Sequence, residues 1–173
     1  DDAHLRLDSR DVRPGDVFVA CPGHAGDGRL YIEQALSLGA EAVLFEGPAM
    51  EVTAAQSASP LVLEVAGLRP ILGELADQWY GQPSAALSVV AVTGTNGKTS
   101  CAQWIAQALT RMGKPCGMIG TLGALLPNGA SLGGHLTTPD VLTMHRTLAA
   151  MRDAGAQCVA MEASSIGIEQ GRL

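Results

Sequence analysis

The sequence predicts an α/β fold built on parallel strands, and three observations carry that expectation. Short apolar runs of strand length alternate with segments of helical period along the chain. One of those runs, "SVVAVT" at 88–93, feeds through a glycine-containing turn into an amphipathic segment that starts near Lys98. Apolar residues make up 47% of 173, enough to enclose a core at a length between one ordinary domain and two small ones.

In chain order, the strands expected first are "DVFVA" (16–20), "EAVLF" (41–45) and "LVLEV" (61–65). A helix over 68–80 follows, because Leu68, Ile71, Leu72, Leu75, Ala76 and Trp79 recur at the spacing of one helical face. It stops at Gly81, and "GQPSAALS" then supplies Gly, Pro and two Ser, which places a domain boundary near residue 86 and divides the chain into 1–86 and 87–173. Beyond it come strand 88–93 and a helix with Cys101, Trp104, Ile105, Ala108, Leu109 and Met112 on one face. Both tryptophans are therefore expected in the core. Strand "CGMIG" (116–120) is next, then "HLTTPD" (135–140), where Thr138 or Asp140 caps the helix "VLTMHRTLAAMRDAG" with Pro139 in its first turn. Strand "QCVAME" (157–162) closes the series. Three parallel strands are few for a doubly wound sheet, so the second domain reads as cut short.

Composition narrows the function. Net charge is −6 with no block of Lys or Arg, which argues against nucleic acid as a partner. No apolar stretch approaches the roughly 20 residues that span a bilayer, and "DDAHLRLDSR" lacks the form of a leader, so a soluble cytoplasmic protein without membrane contact is expected. Cys21, Cys101, Cys116 and Cys158 have neither C-x-x-C spacing nor histidine pairs beside them, and read as small buried hydrophobes. His4 and His145 read as structural or solvated, and Arg111, Lys114 and Arg152 as solvated charges at helix ends. With no repeat or heptad pattern, a monomer is expected.

Chemistry concentrates in "TGTNGKTS" (93–100). The pattern G-x-x-x-x-G-K-[ST] requires glycine at position 92, which is Val92 here, so the turn proper begins at Gly94. Strand before and helix after support phosphate binding: unpaired N–H groups at a helix start, and the helix dipole, favour an anion. Gly94 and Gly97 let the backbone curl close to phosphate. Lys98 would reach the β- and γ-phosphates and the Thr99 hydroxyl would coordinate Mg²⁺. Glu162, at the C-terminal end of a strand parallel to 88–93, is the second candidate Mg²⁺ ligand. The nucleotide base is not readable from the loop.

Several segments together resemble the Mur ligases, whose ATP loop has G-T-N-G-K-T in place of the longer pattern. "LDSRDVRPGDVFVACPGHAGDGRLYIEQALSLGAEAVL" (7–44) is similar to the N-terminal UDP-binding domain of the ligases that add the third residue and the final dipeptide, and "LTTPD" with "MEASSIGIEQGRL" resembles the tripeptide-synthetase branch. The resemblance implies an N-terminal α/β UDP-binding domain followed by a truncated P-loop, Rossmann-like parallel-sheet ATPase domain. It also implies that Gly94, Thr95, Asn96, Gly97, Lys98, Thr99 and Ser100 bind ATP. Leu7, Ser9 and His24 would hold the uridine diphosphate end of the substrate. Thr137, Thr138, Ser164, Gln170 and Arg172 would hold the muramoyl-peptide side, with Lys98 and Glu162 catalytic and Thr99 and Glu162 on the metal. The implied reaction is ATP-dependent amide formation between UDP-MurNAc-L-Ala-D-Glu and a diamino acid, meso-diaminopimelate or L-lysine, through an acyl phosphate. The amino-acid pocket belongs to a C-terminal domain in that family, so these residues alone are expected to lack ligase activity. Two departures stand out: Ile166 in "SSIGI" replaces a histidine common in "SSHAL", and Ala25-Gly26 follows His24 where a longer polar residue is common.

Other readings compete. A dipeptide-adding ligase and a folylpolyglutamate synthase share the chemistry, though the latter typically reads G-K-G-S where this chain has Thr99. A plain P-loop hydrolase or switch gives no account of "DSRDVRPGDVFVA". A non-catalytic nucleotide-binding module would describe these residues taken alone.

Overall fold

Strand β1 (Leu5–Arg6) opens a four-stranded parallel sheet with β2 (Val17–Ala20), β3 (Ala42–Gly47) and β4 (Leu61–Ala66), in that spatial order. The computed structural model describes residues 3–23, 26–47, 61–133 and 137–173. Every residue of β2 is buried, as an inner parallel strand requires. Short helix α1 (Ile32–Ser37) lays Ile32 and Ala35 into a cluster with Val12, Phe18, Ala20, Ala40, Val43 and Phe45. Gly39 ends α1 with φ of 96°, and a Cβ there would come within 3.1 Å of Pro14, so both conformation and space demand glycine.

The chain forms two compact units, Asp1–Leu72 and Gly73–Leu173. Helix α2 (Leu72–Trp79) begins at the division, ahead of the boundary expected near residue 86. The residues after its start bond within the second unit. Asp77 lies 3.8 Å from His145, and the Arg152 guanidinium donates to the carbonyls of Tyr80 and Gly81 at 3.1 and 2.8 Å. Arg152 is thus a structural donor as well as a helix-end charge.

The second unit contains β5 (Ser88–Val92), α3 (Lys98–Arg111), β6 (Cys116–Gly120), β7 (Gly123–Leu125), β8 (Ser131–Gly133), α4 (Val141–Asp153), β9 (Cys158–Glu162) and α5 (Ser165–Glu169). Its sheet order is β5-β9-β6-β7-β8. The three anticipated strands β5, β9 and β6 are parallel, whereas β7 and β8 add antiparallel pairs. Strand alternation assigns the two faces. Cys158 and Ala160 cluster with Cys116, Met118 and the Ala102 and Ala106 of α3; Val159 and Met161 cluster with Ile119 and the Met144, Leu148 and Met151 of α4. The sheet is therefore layered between α3 and α4. Asp140 caps α4, accepting from the N–H groups of Leu142 and Thr143 at 3.0 Å each.

The buried stripe of α3 differs from the expected one. Ala102 and Ala106 face the sheet with Ile105 and Leu109 at their flanks, while Cys101 is exposed, Trp104 is 67% exposed and Met112 74%. The strands opposite present the small side chains of Cys116, Cys158 and Ala160 beside Met118, and the helix approaches on its alanines. Trp79 is also exposed, so neither tryptophan sits in the core. Of the cysteines, Cys116 and Cys158 are buried, Cys21 is half-buried and Cys101 departs from expectation.

Candidate functional site

The loop from Gly94 to Gly97 joins β5 to α3 as anticipated. Gly94 has φ of 142° and Gly97 of 79°, and a Cβ on either meets nothing closer than Asn96 O at 3.8 Å. Glycine is required here by backbone conformation, not by crowding. Gly97 occupies the N-cap of α3 without any side-chain cap, so the first-turn N–H groups are offered outward with the positive end of the helix dipole. The Lys98 ammonium donates to Gly94 O at 2.7 Å and Thr95 O at 3.5 Å, which folds the cation back over the loop. Thr99 follows in the first turn, half-buried; Thr95, Asn96 and Ser100 are exposed. This set of donors suits a polyphosphate.

Parallel registry places Glu162 opposite Val92, the residue leading into that loop, and Ala163 N–H continues the ladder to Val92 O at 2.8 Å. Glu162 is 1% exposed. Its Oε1 accepts from the Thr121 N–H at 2.8 Å, and its Oε2 from the Thr121 hydroxyl at 3.3 Å. None of the ion pairs among the described residues reaches it. A buried carboxylate with neutral donors only is suited to a divalent cation, which compensates its charge. No group of three or more His, Cys, Asp or Glu gathers among the described residues. Mg²⁺ fits that donor set, since it binds through one or two protein oxygens together with phosphate and water.

Beyond the end of β9 lies a second cluster. Thr138, 2% exposed, donates to Glu162 O at 3.2 Å or Ser164 Oγ at 3.0 Å and accepts from Ser164 N–H at 3.0 Å. Ser164 caps α5 by accepting from Gly167 N–H at 3.0 Å. Arg172 donates to Thr138 O at 2.9 Å and to the Gln170 side-chain oxygen. Gly167 packs tightly against this cluster, since a Cβ would lie 2.7 Å from the Thr138 methyl and the neighbours would have to shift to admit it. Thr138, Ser164, Gln170 and Arg172 are thus brought together, but bonded to one another, with Thr138 committed to the backbone of β9. Thr137 is separate: its hydroxyl lies 2.9 Å from that of Thr121.

In the first unit Ser9 is buried and donates to the Gln34 side-chain oxygen at 2.9 Å, and Leu7 is half-buried. His24 lies outside the described residues. Nearby, Asp27 and Arg29 pair at 2.7 Å, and Arg29 also reaches Glu46 O at 3.2 Å. The hydrogen bond from Arg29 lowers the Asp27 carboxyl below its ordinary value. Burial, with Glu46 adding to it, pushes the Cys21 thiol up to about 11, so it is no thiolate at neutral pH. Reading the sequence missed Thr121 and Gln34. The sole signal for Thr121 was its place directly after an apolar run; Gln34 gave none, sitting mid-helix.

A glycine-flexed loop running from strand into helix, with a buried carboxylate ending the adjacent parallel strand, defines an α/β protein of the P-loop nucleotide-binding class. Residues 3–80 match the Mur ligase family, catalytic domain, and residues 92–173 the Mur ligase middle domain. The chain belongs to the Mur ligase family. It is 48% identical over 98% of its length to a UDP-N-acetylmuramoyl-L-alanyl-D-glutamate--2,6-diaminopimelate ligase of Ectopseudomonas mendocina, and 52% identical over 98% to the ligase of that name in Xanthomonas campestris pv. campestris. It spans 34% and 33% of those proteins, about a third of their length. A solved structure of a ligase with the same name superposes with TM-score 0.73 at 32% identity, over 98% of this chain and 33% of that one. The MurF ligase of Thermotoga maritima, solved in complex with ADP, shares the fold at TM-score 0.56 and 24% identity, covering 94% of this chain and 32% of its own.

Proposed function

We propose that this chain forms the UDP-substrate-binding and ATP-binding part of a peptidoglycan-precursor ligase that joins 2,6-diaminopimelate to UDP-MurNAc-L-Ala-D-Glu. The observation that carries the proposal is the registry of Glu162 with Val92, which sets a buried carboxylate beside the Gly94–Lys98 loop. The names of the similar ligases support diaminopimelate over L-lysine as the added amino acid.

Thr99 and Glu162 would hold Mg²⁺, which when bound screens the negative charge of the phosphates. The loop amides and the start of α3 bind the β- and γ-phosphates of ATP, with Thr95, Asn96 and Ser100 lining the loop. Lys98 exchanges its Gly94 carbonyl partner for a γ-phosphate oxygen and stabilises charge during transfer. The D-glutamate carboxylate oxygen attacks the γ-phosphorus; that O–P bond forms as the bond to ADP breaks. The amine of the diamino acid then displaces phosphate from the acyl phosphate and forms the amide. Leu7, Ser9 and His24 hold the uridine diphosphate end. Thr137 meets the muramoyl-peptide side, and Thr138, Ser164, Gln170 and Arg172 build the wall behind it. The enzyme works as a cytoplasmic monomer.

The test is a chimera: these 173 residues replace the matching third of the Pseudomonas aeruginosa ligase, to which they are 49% identical over 170 residues. Phosphate release should require both UDP-MurNAc-L-Ala-D-Glu and diaminopimelate. Release without stimulation by the UDP substrate would sink the proposal. Alone, the 173 residues should bind both nucleotides and form no amide; amide synthesis by them would contradict it.

A further inference from the structure

Strands β6 and β7 form a hairpin in which Gly120 pairs with Gly123, leaving Thr121 and Leu122 as a two-residue turn. As the first turn residue, Thr121 leaves the strand ladder and turns both of its donors on Glu162, N–H to Oε1 at 2.8 Å and hydroxyl to Oε2 at 3.3 Å. Both carboxylate oxygens are therefore held by one residue. The same oxygen lies close over Gly120, since a Cβ there would fall 2.1 Å from Oε1. The Thr121 hydroxyl also meets that of Thr137 at 2.9 Å. The Thr121 hydroxyl donates its proton to Glu162, so in the contact between the two hydroxyls Thr137 is the donor. Thr137 is left presenting lone pairs alone.

We propose that Thr121 is a positioning residue that aims Glu162 at the metal and, through the same hydroxyl, sets Thr137 to accept from a donor on the substrate, such as a peptide N–H. This rests on the reading of Glu162 as the Mg²⁺ ligand. The hydroxyl lies in the turn after β6 and the carboxylate ends β9, and the pairing of β6 with β9 together with the hairpin turn brings them together.

The experiment is a Mn²⁺ titration of the 173-residue chain, followed by electron paramagnetic resonance in the presence of a non-hydrolysable ATP analogue. Thr121→Val keeps the shape and the N–H and removes the hydroxyl; it should weaken Mn²⁺ binding about 10-fold, with Thr121→Ser restoring it to within roughly 2-fold. The thermal midpoint of Thr121→Val should stay near that of the unsubstituted chain, and Thr121→Ala, titrated the same way, serves if the valine does not fold. Wild-type Mn²⁺ affinity in a folded valine or alanine variant overturns the role of Thr121. Glu162→Gln separates the two claims. If it weakens Mn²⁺ binding while Thr121→Val does not, only the positioning role fails; if it has no effect, the metal reading fails and this proposal with it.

Discussion

Glu162 is held in a space that Gly120 keeps open, and a methyl group there would occupy the position of a carboxylate oxygen. Gly120→Ala should therefore cost about 1–3 kcal/mol, as overpacking of a tight core does, and displace the carboxylate. Urea unfolding reads the first effect and loss of Mn²⁺ affinity the second; a variant that matches the unsubstituted chain in both would mean the side chain swings clear without consequence. Lys98 makes the complementary case. Among the described residues its ammonium bonds to loop carbonyls alone, so Lys98→Ala should leave the fold intact. It should lower affinity for an ATP analogue about 10- to 100-fold, the loss of one charge-assisted hydrogen bond of about 1.5–3 kcal/mol. Titration of a fluorescent analogue measures it, and unchanged affinity would remove Lys98 from phosphate binding. Gly94, Gly97 and Lys98 were legible because the strand–glycine–helix grammar fixes their placement from neighbours in sequence, and Glu162 because it ends an apolar run that reads as a strand parallel to β5. Thr121 was hidden because its partner is forty-one positions away and its role comes from a hairpin turn. Thr138 also bonds through its hydroxyl to Glu162 O and Ser164, which no local pattern reveals.

At the scale of elements, the entry to β2 depends on one buried carboxylate. Asp16, 3% exposed, accepts from His4 N–H at 2.9 Å, Arg13 N–H at 3.1 Å and Arg6 Nε at 2.7 Å, tying β1 to β2. Burial opposes its ionisation, but the Arg6 guanidinium and the two amides outweigh this and hold the carboxyl below its ordinary value. A depressed folded-state value means the stabilisation is complete above the unfolded carboxyl value of about 3.9 and fades as pH falls toward the folded one. Asp16→Asn should lower stability at pH 7 by about 2 kcal/mol or more, and the difference should shrink below about pH 4, in urea titrations across that range. A difference independent of pH would show that Asp16 acts through shape and not charge. Elements were read well where periodicity and burial coincide, as in β2, β6 and β9. They were misread where packing partners decide. The apolar stripe of α3 suggested Trp104 and Met112 as core, but the small side chains of β6 and β9 admit the alanine edge of the helix. Strands β7 and β8, three residues each, are too short and glycine-rich to show a period of two.

For the whole molecule, the two units have separate hydrophobic clusters, one around Phe18 and Val43, the others on either face of β9. Both tryptophans, Trp79 and Trp104, belong to the second unit, so tryptophan fluorescence reports on that unit, whereas far-UV circular dichroism reports both. A ligand stabilises what it binds by RT ln(1 + [L]/Kd), about 2.7 kcal/mol at a hundredfold excess over Kd. The ATP analogue with Mg²⁺ should therefore raise the tryptophan-detected midpoint by several degrees, and Lys98→Ala should abolish the rise. UDP, directed to Ser9 and its surroundings, should move the transition seen by circular dichroism and leave the tryptophan signal in place. If UDP instead moves the tryptophan-detected transition as far as the ATP analogue does, the two nucleotides share one site, and the assignment of the uridine end to the first unit is wrong.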